Sequence, residues 1–424
     1  MSILEPEELF SDAITLGRRV NWLNKIKEWM LESPSFFPYF RSSAQGKSVR
    51  EFLLNYNTKN VAGVVSSNPE ALEKLLGEIR ISNPDYKPLA IIDPQSETLF
   101  YQVMEKDKDV ALDAEGVPKE VKKLIYNKFR KYEGFSLKTS HYNDILSVVY
   151  DTRTSAGWIE TNIRRQIAAG ASVGVPMLPL IVDEESRVRW KEVYLALKRL
   201  VVEPENMLGE AGIPLALHIP LHQAVFLAKN QELRNDIVKD IEELKPEFIT
   251  IKVADGLALK VEKNPEKIQA QREFIEAVGR VSKFFNIPTH LFCENNYGIY
   301  SYGLGMNTYS QPVDNKQLRK PFYAKEPPTP EQRFGKIYHY ATKEFVAHES
   351  WLTEAERINH APCGLECCKD VDFARLRRMS YFDFYDYARK HLLATRNQEL
   401  NEVIAAIKTS ELKQHMEAKY AFSL

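Results

Sequence analysis

Short apolar runs recur through the middle of this 424-residue chain, and most are followed by a stretch whose apolar residues return every three or four positions. The runs are "NVAGVVS" (60–66), "PLAIID" (88–93), "ILSVVYD" (145–151), "GVPMLPLIVD" (174–183), "IPLALHIP" (213–220), "EFITIKVAD" (247–255), "IPTHLFCEN" (287–295) and "SYGLGMNTYS" (301–310). Rich in Val, Ile and Leu and apolar on both alternations, they predict parallel strands buried on both faces. Between them, "SAGWIETNIRRQIAAGA", "SRVRWKEVYLALKRLV" and "NPEKIQAQREFIEAVGRVSKFFN" carry helical spacing, the last opening on Asn-Pro and an acidic first turn. Strands alternating with helices in this way predict an α/β fold, a (β/α)8 TIM-type barrel over residues 56–312. No glycine-rich phosphate loop follows any strand, which argues against a doubly wound open sheet. Residues 1–55 read as an N-terminal helical extension. Residues 313–424 read as a basic linker rich in Pro and Lys, followed by a helical C-terminal subdomain.

In such a barrel the chemistry sits where the strands end. Asp93, Asp183 and Asp255 each close an apolar run, and Asn307 and Ser310 lie on the last one. Three aspartates at three strand ends suit general acid, general base or nucleophile roles. Each alone also suits a helix cap or turn. His218 and His222 read as one core or cap histidine and one loop histidine.

Charge adds a restriction. Lys and Arg total 57 against 58 Asp and Glu, a net charge of −1, so no global field points to nucleic acid. A polynucleotide partner needs a local strip, and Lys316, Arg319, Lys320, Arg333 and Lys336, with Lys325 and nearby aromatic residues, supply the candidate. The N-terminal stretch has neither a signal-peptide pattern nor an apolar span, which predicts a cytoplasmic protein without a membrane partner.

Three of the four cysteines crowd into "HAPCGLECCKD" (360–370), and His391 follows on a helical stretch. Thiolates and an imidazole in this order suit a tetrahedral structural zinc built from Cys363, Cys367, Cys368 and His391. Adjacent cysteines seldom both bind one ion, so either Cys367 or Cys368 completes the set, or His360 does.

The order of parts resembles the tRNA-guanine transglycosylase superfamily, a barrel with a zinc subdomain near its C-terminus. The spacing of Cys363 and Cys368 is similar to the outer pair of that family's zinc motif, and "HLLATRNQELNEVIAAIK" is similar to its helix after the ligand histidine. "AIIDPQSETLF" resembles the strand end with the first catalytic aspartate, which implies that role for Asp93. "IETNIRRQIAAGASVGVPMLPLIVDEES" implies base recognition by Asp183. The family's "DSGGFQ" is here "DPQSETLF", and the last-strand aspartates are replaced in "GMNTYSQP" by Asn307 and Ser310, which inherit base binding. These departures resemble the divergent branch that inserts 7-deazaguanines into DNA, with Asp255 as nucleophile. The resemblance implies a pentosyltransferase that exchanges guanine in a polynucleotide, DNA or tRNA, through a covalent glycosyl-enzyme. Partner subunits or a homodimer are compatible with it. The alternatives are a non-catalytic subunit and an unrelated barrel enzyme acting on a small molecule.

Overall fold

The computed structural model describes residues 35–40, 42–55, 61–86, 88–94, 152–201, 213–253, 265–292, 296–313, 336–412 and 414–415. The strands are β1 (Ser35–Phe40), β2 (Gly63–Ser66), β3 (Leu89–Ile92), β4 (Ala216–Leu221), β5 (Phe248–Val253), β6 (Thr289–Leu291) and β7 (Thr308–Pro312). All seven pair in parallel, in the order β3-β2-β1-β7-β6-β5-β4, and form a curled half-barrel. The helices are α1 (Ser43–Asn55), α2 (Pro69–Ser82), α3 (Thr152–Ala168), α4 (Glu184–Val201), α5 (Gln231–Leu244), α6 (Pro265–Phe285) and α7 (Asn296–Ser301). Their local causes are readable: in α2, Asn68 accepts from the Glu70 and Ala71 backbone N–H groups and Pro69 holds the first helical position.

Alternation sorts the side chains into two cores. Phe36, Phe40, Val64, Ile92, Leu217 and Ile249 pack outward under the helices. Phe37, Tyr39, Val65, Ile91, Ala216, Phe248 and Phe292 fill the interior.

Three expectations change here. "SFFPYF" lies inside the segment read as a helical extension, yet it is the strand β1, fully buried. Its proline argues against a strand by pattern, but pairing with β2 begins only at Tyr39, one residue past Pro38. "GVPMLPLIVD" is not a regular strand. Pro176 and Pro179 remove two ladder donors, and the buried Gln166 side chain of α3 substitutes: its amide donates to the Val175 carbonyl at 2.7 Å and accepts from the Val175 N–H at 2.9 Å. The segment still meets both sheet edges, through single bridges Ile91↔Val173, Gly174↔Leu215 and Ile181↔Leu221. "ILSVVYD" falls outside the described residues. In "SYGLGMNTYS" the first residues are helical and only the end is β7.

The C-terminal region adds the hairpin β8 (Lys336–His339) and β9 (Glu344–Ala347), then α8 (His348–Ile358), α9 (Phe373–Arg378) and α10 (Tyr381–Lys408). Ser380 caps α10, accepting from the Asp383 N–H while donating to the Asp383 carboxylate at 2.6 Å. The first half of α10 puts Phe384 and Ala388 into a small core with Ile337, Trp351 and Cys368. The second half puts Leu393, Leu400 and Val403 into the core of the sheet and its helices, and α10 packs on α1 and β1. Between the halves lies a fully buried polar junction. Arg396 donates to Glu399 at 2.5 Å and to the Tyr338 hydroxyl at 3.0 Å, and Tyr338 donates to Glu399 at 2.8 Å. Lys343 adds a second cation 3.2 Å from Glu399. Removing Glu399 takes away the carboxylate that Arg396, Tyr338 and Lys343 share and leaves buried positive charge less well compensated. Glu399→Ala is expected to lose about 3–5 kcal/mol of stability, read as a lower urea midpoint; an unchanged midpoint contradicts the account.

Candidate active site and metal centre

The three inner strand positions above the apolar interior converge on one ion pair. Asp93 follows β3 and shares the inner face of Ile91, while Lys252 is the inner residue next to the end of β5. Lys252 Nζ stands 2.5 Å from Asp93 Oδ2, and the Tyr39 hydroxyl of β1 donates to the same oxygen at 2.9 Å. Lys252 is 2% exposed and Asp93 is 0% exposed. A pair so buried is held by mutual compensation, since either charge alone is strongly disfavoured there. The Phe292 ring lies 5.8 Å from the Lys252 ammonium and shields it further.

Beneath this pair runs a layer of four polar side chains at matched register on adjacent strands: His218, Thr250, His290 and Thr308. His218 Nδ1 meets Thr250 Oγ1 and His290 Nδ1 meets Thr308 Oγ1, each at 2.9 Å. The Thr308 hydroxyl donates its proton to the Thr289 carbonyl at 3.0 Å. It therefore accepts from His290 Nδ1–H, which leaves His290 Nε2 as a bare acceptor. Burial drives both histidines down to about 3, against the partial pull of Asp93 in the other direction. They stay neutral, so the Asp93–Lys252 pair has no charged competitor below it.

The sequence-predicted residues separate accordingly. Asp93 lies in the cluster. Asp183 does not: it is exposed and caps α4, its carboxylate accepting from the Ser186 N–H at 3.0 Å and hydroxyl at 2.8 Å. Ser310 is buried on the inner face of β7, in register with Phe37. Asn307 sits at the opposite rim, where its amide oxygen ties the starts of β6 and β7 by accepting from the Thr289 N–H and hydroxyl at 2.9 and 2.8 Å. Its position before the strand, not on it, removes it from the end that carries Asp93. Asp255, Lys316, Arg319, Lys320 and Arg333 lie outside the described residues; Lys336 opens β8. Sequence reasoning missed Lys252, Tyr39, His290 and Thr250. The signal available was alternation: Lys252 and Thr250 are the two polar positions of "FITIKV", both on one face.

The cysteine cluster assembles as a single group. Ligand atoms of Cys363, Cys367, Cys368 and His391 all lie within 4.8 Å of one another, and the four can hold a metal ion. Cys367 and Cys368 share one short 3-10 turn, with sulfurs 3.6 Å apart, and His391 Nδ1 is 3.5 and 3.3 Å from them. Four ligands on a tetrahedral ion of zinc size stand about 3.5–3.8 Å from each other, so both adjacent cysteines fit one ion. His391 Nε2 donates to the Tyr338 carbonyl at 2.7 Å, which leaves Nδ1 as the ligand. The Tyr387 hydroxyl lies 3.0 Å from Cys368 Sγ, and the Leu365 N–H donates to Cys363 Sγ. The Cys367 and Cys368 thiols hold Cys363 well below the usual thiol range, and the same contacts push Cys367 up. His360 is not a member. Its two nitrogens face the Lys369 and Ala361 carbonyls, which raise its pKa.

No family model matches the chain, and no curated protein matches it. Among solved structures, an HpcH/Hpal aldolase/citrate lyase family protein from Burkholderia cenocepacia J2315 is 10% identical at a TM-score of 0.34, over 68% of this chain and 92% of that one. A Coccidioides immitis protein assigned as a fructose-1,6-biphosphate aldolase is 6% identical at a TM-score of 0.32, over 92% and 96%. Likenesses at these scores fix neither substrate nor reaction. No helix among the described residues is long and apolar enough to cross a membrane.

The depressed histidines set a pH signature. Above pH 6.5 the rings are neutral folded or unfolded and the contribution is intact; below it the unfolded chain takes up protons that the folded interior refuses. Stability should fall as pH drops from 6.5 towards 3, by about 1.4 kcal/mol per pH unit for each ring. In an NMR titration of the folded protein the His218 and His290 imidazole signals should stay unmoved between pH 8 and pH 5. A midpoint near 6.5 for either would contradict their neutral burial.

Proposed function

We propose that this chain is a base-exchange enzyme of the transglycosylase type, replacing guanine in a polynucleotide, with DNA the first candidate and tRNA the second, by a 7-deazaguanine. The observation that carries the reading is the joint position of two features on one scaffold. Asp93 stands at a strand end of the parallel sheet, and the Cys363–Cys367–Cys368–His391 group includes His391 of α10, the helix that packs against β1 of the same sheet. That order of parts is what the resemblance implies. The curled sheet is then a (β/α)8 barrel whose irregular stave is the segment 172–181, which bridges both edges.

In this reading Asp255 attacks the sugar C1′ as guanine leaves, and Asp93 passes a proton to the departing base and takes one from the incoming base. Asp255 follows the end of β5 by two residues in sequence, and β5 carries the Lys252 that contacts Asp93. In this reading the ionised nucleophile and the proton carrier act together at one site. A target base in a duplex has to leave the stack to reach it.

The test is incubation with DNA and with tRNA carrying labelled guanine. Wild-type protein should release label, and Asp255→Asn should bind yet release none and trap no covalent adduct. Asp93→Asn should slow exchange by about 10²–10⁴-fold. Release from neither substrate removes the reading in favour of a small-molecule enzyme or a non-catalytic subunit.

The ion at the cysteine group is zinc in this account, because three thiolates and one imidazole at these separations suit a closed tetrahedral site. Elemental analysis should give one zinc per chain, and Cys368→Ser should lower both zinc content and thermal midpoint. A full-length, stable protein with well under one equivalent of metal would contradict it.

A further inference from the structure

Lys252 is the buried group that base exchange leaves without a task. It is the last inner side chain of the described β5, and its Nζ is 2.5 Å from Asp93 Oδ2 in a setting where the two side chains are 2% and 0% exposed. Burial disfavours an ammonium and a carboxylate alike. Moving one proton from Nζ to Asp93 converts two buried charges into a neutral amine and a neutral acid. It also creates a nucleophile and a general acid on neighbouring atoms. Tyr39, donating to the same carboxylate oxygen at 2.9 Å, holds the acid in place while the proton moves. Beneath the pair, the neutral His218 and His290 carry no charge that would tie the amine down.

We propose that Lys252 is a covalent amine nucleophile towards a sugar aldehyde carbon, with Asp93 as its proton partner. The Nζ lone pair adds to the aldehyde carbon, and the carbon–oxygen double bond gives way to a carbon–nitrogen double bond. The oxygen departs as water, carrying one proton from Nζ and one from Asp93. The iminium that forms stands beside the Asp93 carboxylate, so charge is conserved and no oxidant or reductant takes part. Two sources present this carbon: a base-free sugar within a polynucleotide, which opens to an aldehyde at C1′, and a free aldose. The proposal goes beyond base exchange and rests only on the Asp93–Lys252 geometry.

The full-length protein is incubated with sodium cyanoborohydride and, in separate arms, an oligodeoxynucleotide with one abasic site or D-ribose 5-phosphate. Hydride from the reagent reduces the iminium to a stable secondary amine, and peptide mapping by mass spectrometry locates it. The adduct should lie on the peptide containing Lys252 and be lost in Lys252→Arg, which keeps the charge opposite Asp93 but lacks the amine. Adduct in the abasic DNA arm identifies a polynucleotide source; adduct in the ribose 5-phosphate arm alone identifies a free sugar. If Lys252→Arg fails to fold, the wild-type peptide map still assigns the residue. No adduct on Lys252 in either arm, or adducts spread over other lysines while Lys252 stays unmodified, overturns the proposal. A Lys252 adduct without guanine release from DNA or tRNA leaves this inference standing and removes base exchange, whereas guanine release without an adduct does the reverse.

Discussion

Helix α10 buries Phe384, Ala388 and His391 on the cysteine side and Leu393, Leu400 and Val403 on the sheet side, with Arg396 and Glu399 buried between them. A helix of this length with residues in two cores cannot shift for one without disturbing the other, because close-packed interiors transmit displacement. His391 fixes the helix rotation through Tyr338, whose carbonyl accepts from Nε2 and whose hydroxyl meets Arg396 and Glu399. Anything bound by Cys363, Cys367 and Cys368 is therefore tied through α10 to β1, the strand that carries Tyr39.

The interior follows a second constraint. A parallel sheet buried on both faces leaves no room for unpaired charge, and the chain meets this in two layers. The lower layer is kept neutral by pairing each histidine with a threonine on the next strand. The upper one, among the described residues, holds charge as the Asp93–Lys252 pair with Tyr39 on the same oxygen. Chemistry at this place is a matter of where one proton resides, since both heavy-atom frames are already fixed by the strands. Among the described residues the Nε2 of His290 has no hydrogen-bond partner, so the lower layer keeps a buried polar atom.

Much of this was legible from pattern. Val, Ile and Leu runs located β2 to β6 because buried parallel strands have few alternatives, and the spacing of cysteines before a helical histidine located the group that can hold a metal ion. The failures have physical causes. β1 is aromatic and contains Pro38, which disguises a strand. The stretch 174–183 reads as regular because its pattern does not show that the Val175 backbone pairs with the Gln166 amide instead of a neighbouring strand. Asp183 and Asn307 are residues whose usual work is capping and tying turns, and that is how the structure uses them. Lys252 was passed over because a lysine inside an apolar run reads as an edge residue until its carboxylate partner, far away in sequence, is placed against it. The convergence of the adjacent Cys367 and Cys368 sulfurs on one group depends on a 3-10 turn that spacing alone does not reveal.

The central claim is mechanical: the Cys3His group and the Asp93 end of the sheet are coupled through α10. Hydrogen exchange of the full chain, measured with and without a metal chelator, tests it most directly. The account predicts that chelation speeds exchange across the β8–β9 hairpin and α10 and extends it into α1 and β1. Faster exchange confined to residues 360–370, with α10 and β1 unchanged, would contradict it.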